Sequence, residues 1–196
     1  MTPFVVLVSG RGSNLRAIVN ARETLGGLPV GVVSSRAGVP ALAIAQEAGV
    51  PVQVVAAEPG ESREGYDARL QDAVALWAPQ WIVLAGFMRI LSDGFLDAWA
   101  GRIVNIHPSL LPAFPGLHPH RQALERGVSW TGCTVHLVES GEVDGGRILD
   151  QVPVPVVLGD TEETLAARVL AAEHELYPRV LSQLFRGQPP RRSCAC

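Results

Sequence analysis

The first half of the chain alternates short β-branched and aliphatic runs with stretches of helical spacing, and few architectures accommodate that rhythm. The runs are Phe4–Val8, Pro29–Val33, Val52–Val55, Trp81–Ala85 and Arg102–Ile106. Between them, Leu15, Ile18, Val19 and Leu25 recur with helical period, Leu42–Ala48 reads as a second helix, and Ser62–Leu76 as a third with Ser62 as N-cap. Strand and helix in alternation predict a parallel sheet wrapped by helices. After His107 the pattern changes. A proline-rich loop leads to a short helix near His120–Arg126, then to strands at Cys133–Val138 and Arg147–Val156, close enough in sequence to pair antiparallel. A long helix follows from Thr161 to about Phe185, with Leu165, Val169, Leu176, Val180 and Leu184 as its apolar stripe. Asp160 with Glu163 suggests its capping box, Gly187 its stop, and Pro178 predicts a kink or break near Tyr177. The expected fold is α/β: a single domain with a mostly parallel twisted sheet, helices on both faces, antiparallel strands in the C-terminal part and a long C-terminal helix. It spans 1–187, with 188–196 as a flexible tail.

Composition narrows the chemistry. With 196 residues, 47% of them hydrophobic, the chain can bury a sizeable core. A net charge of −3 gives no broad footprint for nucleic acid. All 16 basic residues are arginine, which excludes a Schiff-base lysine and a phosphate-loop lysine. Any anion must therefore meet arginine, backbone amides or helix termini. Three cysteines make no disulfide framework, so a reducing cytoplasm is expected; Cys133 reads as a small buried hydrophobe, and Cys194 and Cys196 belong to the tail. The start enters an apolar strand at once, unlike a signal peptide, and no stretch is suited to crossing a membrane.

Chemistry concentrates in Asn105-Ile106-His107-Pro108-Ser109-Leu110-Leu111-Pro112 and in Asp144-Gly145-Gly146. On a strand, Asn105 and His107 point to one face, and the prolines hold the following backbone open as a loop. An uncharged donor beside an imidazole suits a reaction that builds negative charge on a carbonyl oxygen. An Asp between glycines could approach the imidazole and favour its charged form. Singly, each has a plainer reading: Asn105 ends a strand, His107 packs in a turn, Asp144 caps a loop. Earlier, Ser9-Gly10-Arg11-Gly12-Ser13-Asn14-Leu15 joins a strand to a helix, a place where amides and helix dipole can hold phosphate. It could equally be a tight turn capped by Ser13 or Asn14. Leu15 stands where a dinucleotide site wants its third glycine, and Ser34-Ser35-Arg36 offers no ribose-binding acid, although Arg36 could take a 2′-phosphate. A terminal sugar phosphate fits better.

Together, Ser9–Leu15, Leu84–Leu91, Asn105–Pro112 and Asp144–Gly146 resemble the glycinamide ribonucleotide formyltransferases, folate-dependent enzymes of purine synthesis. The Asn105–Pro112 string marks the wider group of formyltetrahydrofolate-using enzymes, and the Gly-Ser-Asn loop with Pro115-Gly116-Leu117-His118 narrows it. The resemblance implies formyl transfer from 10-formyltetrahydrofolate to the amine of 5-phosphoribosylglycinamide. It implies Asn105, His107 and Asp144 as catalytic residues. Gly12, Ser13, Asn14, Leu15 and Arg16, with Leu170, Ala171, Ala172 and Glu173, correspond to ribonucleotide contacts. Arg63, Met88, Arg89, Ile90, Leu91, Asn105, Ser140, Gly141, Glu142, Val143 and Asp144 correspond to folate contacts. On this view the N-terminal half serves the ribonucleotide and the C-terminal half the folate and the catalysis.

From the residues alone, Glu173 borders a buried stripe and needs a partner, either a ligand or an arginine such as Arg168. His118 follows the catalytic loop and could line the site, His120 begins a helix, His136 alternates within a strand and His174 is structural. None has metal-ligand spacing, so no metal is expected. The partners expected are small molecules, without nucleic acid or membrane, for a cytoplasmic monomer or weak homodimer. A transfer-RNA formyltransferase or a formyltetrahydrofolate hydrolase would be expected to carry a further domain. A nucleotide-binding regulator with an idle site and a dehydrogenase are the remaining alternatives.

Overall fold

The computed structural model describes residues 1–139 and 143–188. Ser140, Gly141, Glu142, Cys194 and Cys196 lie outside them, as does the 188–196 tail apart from Gln188. Strands β1 (Thr2–Val8), β2 (Gly27–Ser34), β3 (Val52–Val54), β4 (Trp81–Leu84), β5 (Ile103–His107), β6 (Trp130–Leu137) and β7 (Ile148–Pro155) form one sheet in the order β3-β2-β1-β4-β5-β6-β7. The pairs from β3 through β5 are parallel; β5–β6 and β6–β7 are antiparallel. Every strand expected from the sequence is present, and so are the antiparallel pair and the long final helix.

Strand β1 shows why the apolar runs are continuous. Phe4, Val6 and Val8 face one core and Val5 and Leu7 the other, all with no exposed surface. A parallel strand covered on both faces has no polar side to offer. One face packs on α1 (Ser13–Asn20), α3 (Pro40–Glu47) and α7 (Glu162–Phe185), the other on α4 (Arg63–Ala75) and α5 (Asp93–Ala98). Helices α2 (Arg22–Leu25) and α6 (Pro119–Glu125) complete the described elements. Among the described residues, no helix is long and apolar enough to cross a membrane.

Three expectations need correction. Helix α7 continues through Pro178 rather than breaking. Tyr177 is wholly buried and its hydroxyl donates to Leu84 O at 2.8 Å and Val104 O at 3.0 Å, while Val180 and Leu181 are buried beyond it. Packing on the sheet therefore carries the helix past Pro178 without a break despite the missing amide hydrogen. Thr161 and Thr164, not Asp160 and Glu163, make the capping box. The Asp160 carboxylate accepts from the two terminal guanidinium nitrogens of Arg168, each at 2.8 Å. Helix α5 adds an element to those expected; its N-cap is Ser92, whose hydroxyl accepts from Phe95 N.

From β1 the chain winds outward to β3, then returns to the other side of β1 for β4 and β5. The order reverses between β1 and β4. Crevices outside the carboxyl ends of such strands are where open α/β sheets bind ligands. The glycine loop, the segment after β4 and the Asn105–His107 end of β5 all reach that edge.

Candidate active site

At the end of β1, Gly12 takes a left-handed conformation (φ 77°) as N-cap of α1. A Cβ there would lie 2.8 Å from both Cα and Cβ of Ala41, so the turn presses its backbone onto α3 and admits glycine alone. Neither Ser13 nor Asn14 caps the helix. Asn14 turns inward, and its Nδ2 donates to Glu173 Oε2 of α7 at 3.0 Å. That carboxyl is 5% exposed. Burial pushes its pKa up to about 7, against the opposing pull of the Asn14 hydrogen bond and of His107. Its partner is thus Asn14, since Arg168 is committed to Asp160. Asn14 Oδ1 is buried without a partner among the described residues, an acceptor open to a ligand donor.

On β5, Asn105 and His107 point to the same face, as expected. The loop after them is tied down by Thr134 of β6, whose hydroxyl donates to Ser109 O at 2.7 Å and accepts from Leu111 N at 3.0 Å. Gln151 of β7 adds a bond to Leu111 O at 2.9 Å. His107 is 6% exposed, with Nδ1 3.2 Å from Asp144 Oδ2 and Nε2 3.0 Å from Phe114 O. A carboxylate and a carbonyl both accept, so only the doubly protonated ring donates to each. Asp144 holds a left-handed backbone (φ 55°) and also accepts from Gly116 N at 2.7 Å. Burial alone would raise its carboxyl; the hydrogen bonds from His107 and Gly116, with the charge of His107, outweigh it and hold the group below its usual range.

Asn105 and Asp144 also help line a cavity of about 380 Å³ beneath the segment after β4. Leu84, Phe87, Ile90, Leu91, Leu96, Val138 and Val143 supply apolar wall; Arg63, Arg89, Asp93, His136 and Glu139 supply polar groups. The size and mix suit a flat heterocycle with a charged extension. Arg89 lies 3.8 Å above the Tyr66 ring, a cation–π contact that leaves its Nε buried and unpaired among the described residues. The segment is anchored to the glycine loop's strand, because Met88 N donates to Ser9 Oγ at 2.9 Å.

The profile of the formyl transferase family matches residues 2–181. This chain belongs to that family. It is 47% identical over 187 residues to phosphoribosylglycinamide formyltransferase of Escherichia coli, covering 94% of this chain and 88% of that protein. It is 49% identical over 186 residues to the trifunctional purine biosynthetic protein adenosine-3 of Drosophila pseudoobscura pseudoobscura, covering 93% of this chain but 14% of that much longer protein. Among solved structures, glycinamide ribonucleotide transformylase 1 of Symbiobacterium toebii superposes with a TM-score of 0.91 at 43% identity, covering 95% of this chain and 89% of that one.

Within this formyl transferase, several expected site residues keep their side chains away from the cavity or engaged elsewhere. Leu15 is buried in the core, and Arg16 pairs with Glu47 at 3.1 Å. Met88 is exposed and absent from the cavity wall, whereas Arg63, Arg89, Ile90, Leu91 and Val143 are in it. On α7, Ala171 is exposed and Leu170 and Ala172 are half-buried beside Glu173. The His118 side chain is 62% exposed and 3.9 Å from Glu162. Among the described residues no three His, Cys, Asp or Glu side chains are grouped to hold a metal. His136, Phe87 and Leu96 also line the cavity, beyond the contacts expected from the sequence. For His136 the signal existed only as strand register: it pairs directly with Asn105 across β5 and β6.

Proposed function

We propose that this chain transfers the formyl group of 10-formyltetrahydrofolate to the amine of 5-phosphoribosylglycinamide, releasing tetrahydrofolate. The contact of His107 Nδ1 with Asp144 Oδ2 at 3.2 Å, beside a cavity whose wall includes Asn105, carries this reading. The cavity takes the folate, with its ring system among Leu84, Leu91, Leu96 and Val143 and its acidic end near Arg63 and Arg89. The ribonucleotide phosphate lies on the amides at the start of α1, and its sugar hydroxyls meet Glu173 and Asn14. Both halves of residues 1–187 thus serve both substrates, since Arg63–Leu91 reaches the folate cavity and Glu173 the ribonucleotide.

The substrate amine attacks the formyl carbon, and the carbonyl electrons move onto oxygen. Asn105 Nδ2 and the His107 imidazolium stabilise that oxyanion, at about 3–4 kcal/mol for each well-placed donor. The His107 Nε2–H leaves Phe114 O and turns to the oxyanion, while Asp144 keeps the ring charged and oriented. Collapse of the intermediate breaks the carbon–nitrogen bond to folate, and the proton lost by the amine ends on the departing nitrogen. The protein works as a monomer or weak homodimer on small molecules, away from nucleic acid and membrane, in the cytoplasm. Incubation with both substrates, followed by folate absorbance, tests the reading. Product should form only when both are present; binding of either without turnover would refute it.

A further inference from the structure

His136 is 1% exposed and sits opposite Asn105 in the antiparallel ladder, so both side chains leave the sheet on the same face. The surroundings of a buried imidazole decide which nitrogen carries hydrogen. Nδ1 lies 2.9 Å from Leu137 O and 3.0 Å from Gly145 O. Carbonyls only accept, so Nδ1 bears the hydrogen. Burial favours the neutral ring, against the two carbonyls and the charge of Asp144. A neutral ring then presents a lone pair at Nε2, 3.2 Å from Asn105 Nδ2. An acceptor in that place requires the amide's NH2 rather than its oxygen, which decides an orientation that the amide's own shape leaves ambiguous.

We infer that His136 is a positioning residue that orients the Asn105 amide as a donor and ties it to the loop carrying Asp144. One amide hydrogen goes to His136 Nε2, and the second is left for the formyl oxygen. On its other side the ring donates to Gly145 O, next to Asp144. The loop lies close enough for this because Gly146 packs directly on β6, where an added Cβ would fall 2.2 Å from Leu137 O. Leu137 N also donates to Arg147 O at 2.9 Å. A single imidazole therefore couples the oxyanion donor on β5 to the carboxylate that holds His107.

The kinetic half of the test rests on the formyl-transfer reading. His136→Asn keeps a donor for Gly145 O but withdraws the acceptor from Asn105, whereas His136→Gln can return an amide oxygen to the Nε2 position. His136→Asn should lower kcat by about 10- to 100-fold with both KM values within about 3-fold, and His136→Gln should restore part of the loss. In an Asn105→Ala background, His136→Asn should change kcat less than about 2-fold, because the group through which it acts is gone. Independent, additive losses, or losses confined to KM, would overturn the inference. If His136→Asn does not fold, nitrogen NMR of the unsubstituted protein, assigned with His136→Gln, decides: the ring should be neutral and protonated on Nδ1 at pH 7. An Nε2–H or doubly protonated ring would overturn it. That spectrum needs no turnover, so an inactive parent enzyme would count against formyl transfer alone.

Discussion

Two carboxyls, a buried one at one end of the site and a half-buried one at the other, are pushed in opposite directions. Among the described residues Glu173 accepts from one neutral donor, the Asn14 amide, and burial raises it to about 7 against that bond and the charge of His107. Asp144 is only half-buried, and a backbone N–H and an imidazole hold it below its usual range. The contrast shows depth and donors acting together: burial dominates at Glu173, whereas the donors and charge around Asp144 outweigh its smaller burial. It also separates roles. A carboxylate kept ionised can stabilise a cation through a reaction, and one poised near neutrality can either accept from or donate to a ligand hydroxyl.

The strongest way to break this comparison is at Asp144. Asp144→Asn preserves shape and removes charge, so kcat should fall by about 10³-fold with substrate affinities nearly unchanged. His107→Ala should cost about 10²- to 10³-fold in the same steady-state assay. A near-normal turnover for either would remove that residue from the mechanism. Next comes Gly12→Val, which must shift α3 and adopt a disfavoured backbone; a loss of roughly 2–4 kcal/mol should appear as a lower Tm together with weaker ribonucleotide binding. An unchanged Tm would contradict the close packing on Ala41.

Glu173→Gln sharpens the comparison through pH. A carboxyl raised in the folded state contributes stability that is present below its unfolded value of 4.5 and lost as pH rises through about 7. Above pH 7 the substitution should therefore raise stability by roughly 2–3 kcal/mol, with the gain vanishing towards pH 4, while ribonucleotide KM rises. Asp144 carries the opposite sign: its folded value is depressed, so its contribution is present above its unfolded value and lost as pH falls through the folded one. Thermal melts across pH should show Asp144→Asn blunting the acid limb. Parallel pH profiles for the two variants would sink the contrast. The smallest effect belongs to Arg89→Ala, where losing the contact with Tyr66 and a cavity cation should raise folate KM by about 5-fold with little change in kcat.

The same divide runs through what the sequence discloses. The parallel strands, the glycine turn and the Asn105–His107 face are readable because their signals are local: apolar runs, a strand-to-helix junction, a period of two. Helix α5 escapes because its six residues are too few to display helical spacing. Pro178 does not break the helix because the packing of Tyr177 and Val180 on the sheet outweighs a local preference. The cap moves to Thr161 because Arg168, more than one helical turn downstream, captures Asp160. For the site, resemblance supplies Asp144 and Glu173, and both have partners far away in sequence. The importance of His136 is hidden because it depends on the register of β6 against β5, which alternation cannot reveal.

Asn14 and Glu173 are 159 positions apart. The turn near the start of the chain is thus closed by a carboxyl from its last helix, so neither end of the sequence completes this corner alone. The Tyr177 hydroxyl, which bridges the carbonyls of β4 and β5, arrives in the same late segment. Both contacts therefore depend on the last long helix: the corner at the start of α1 and the carbonyls of β4 and β5 are completed only by side chains of α7.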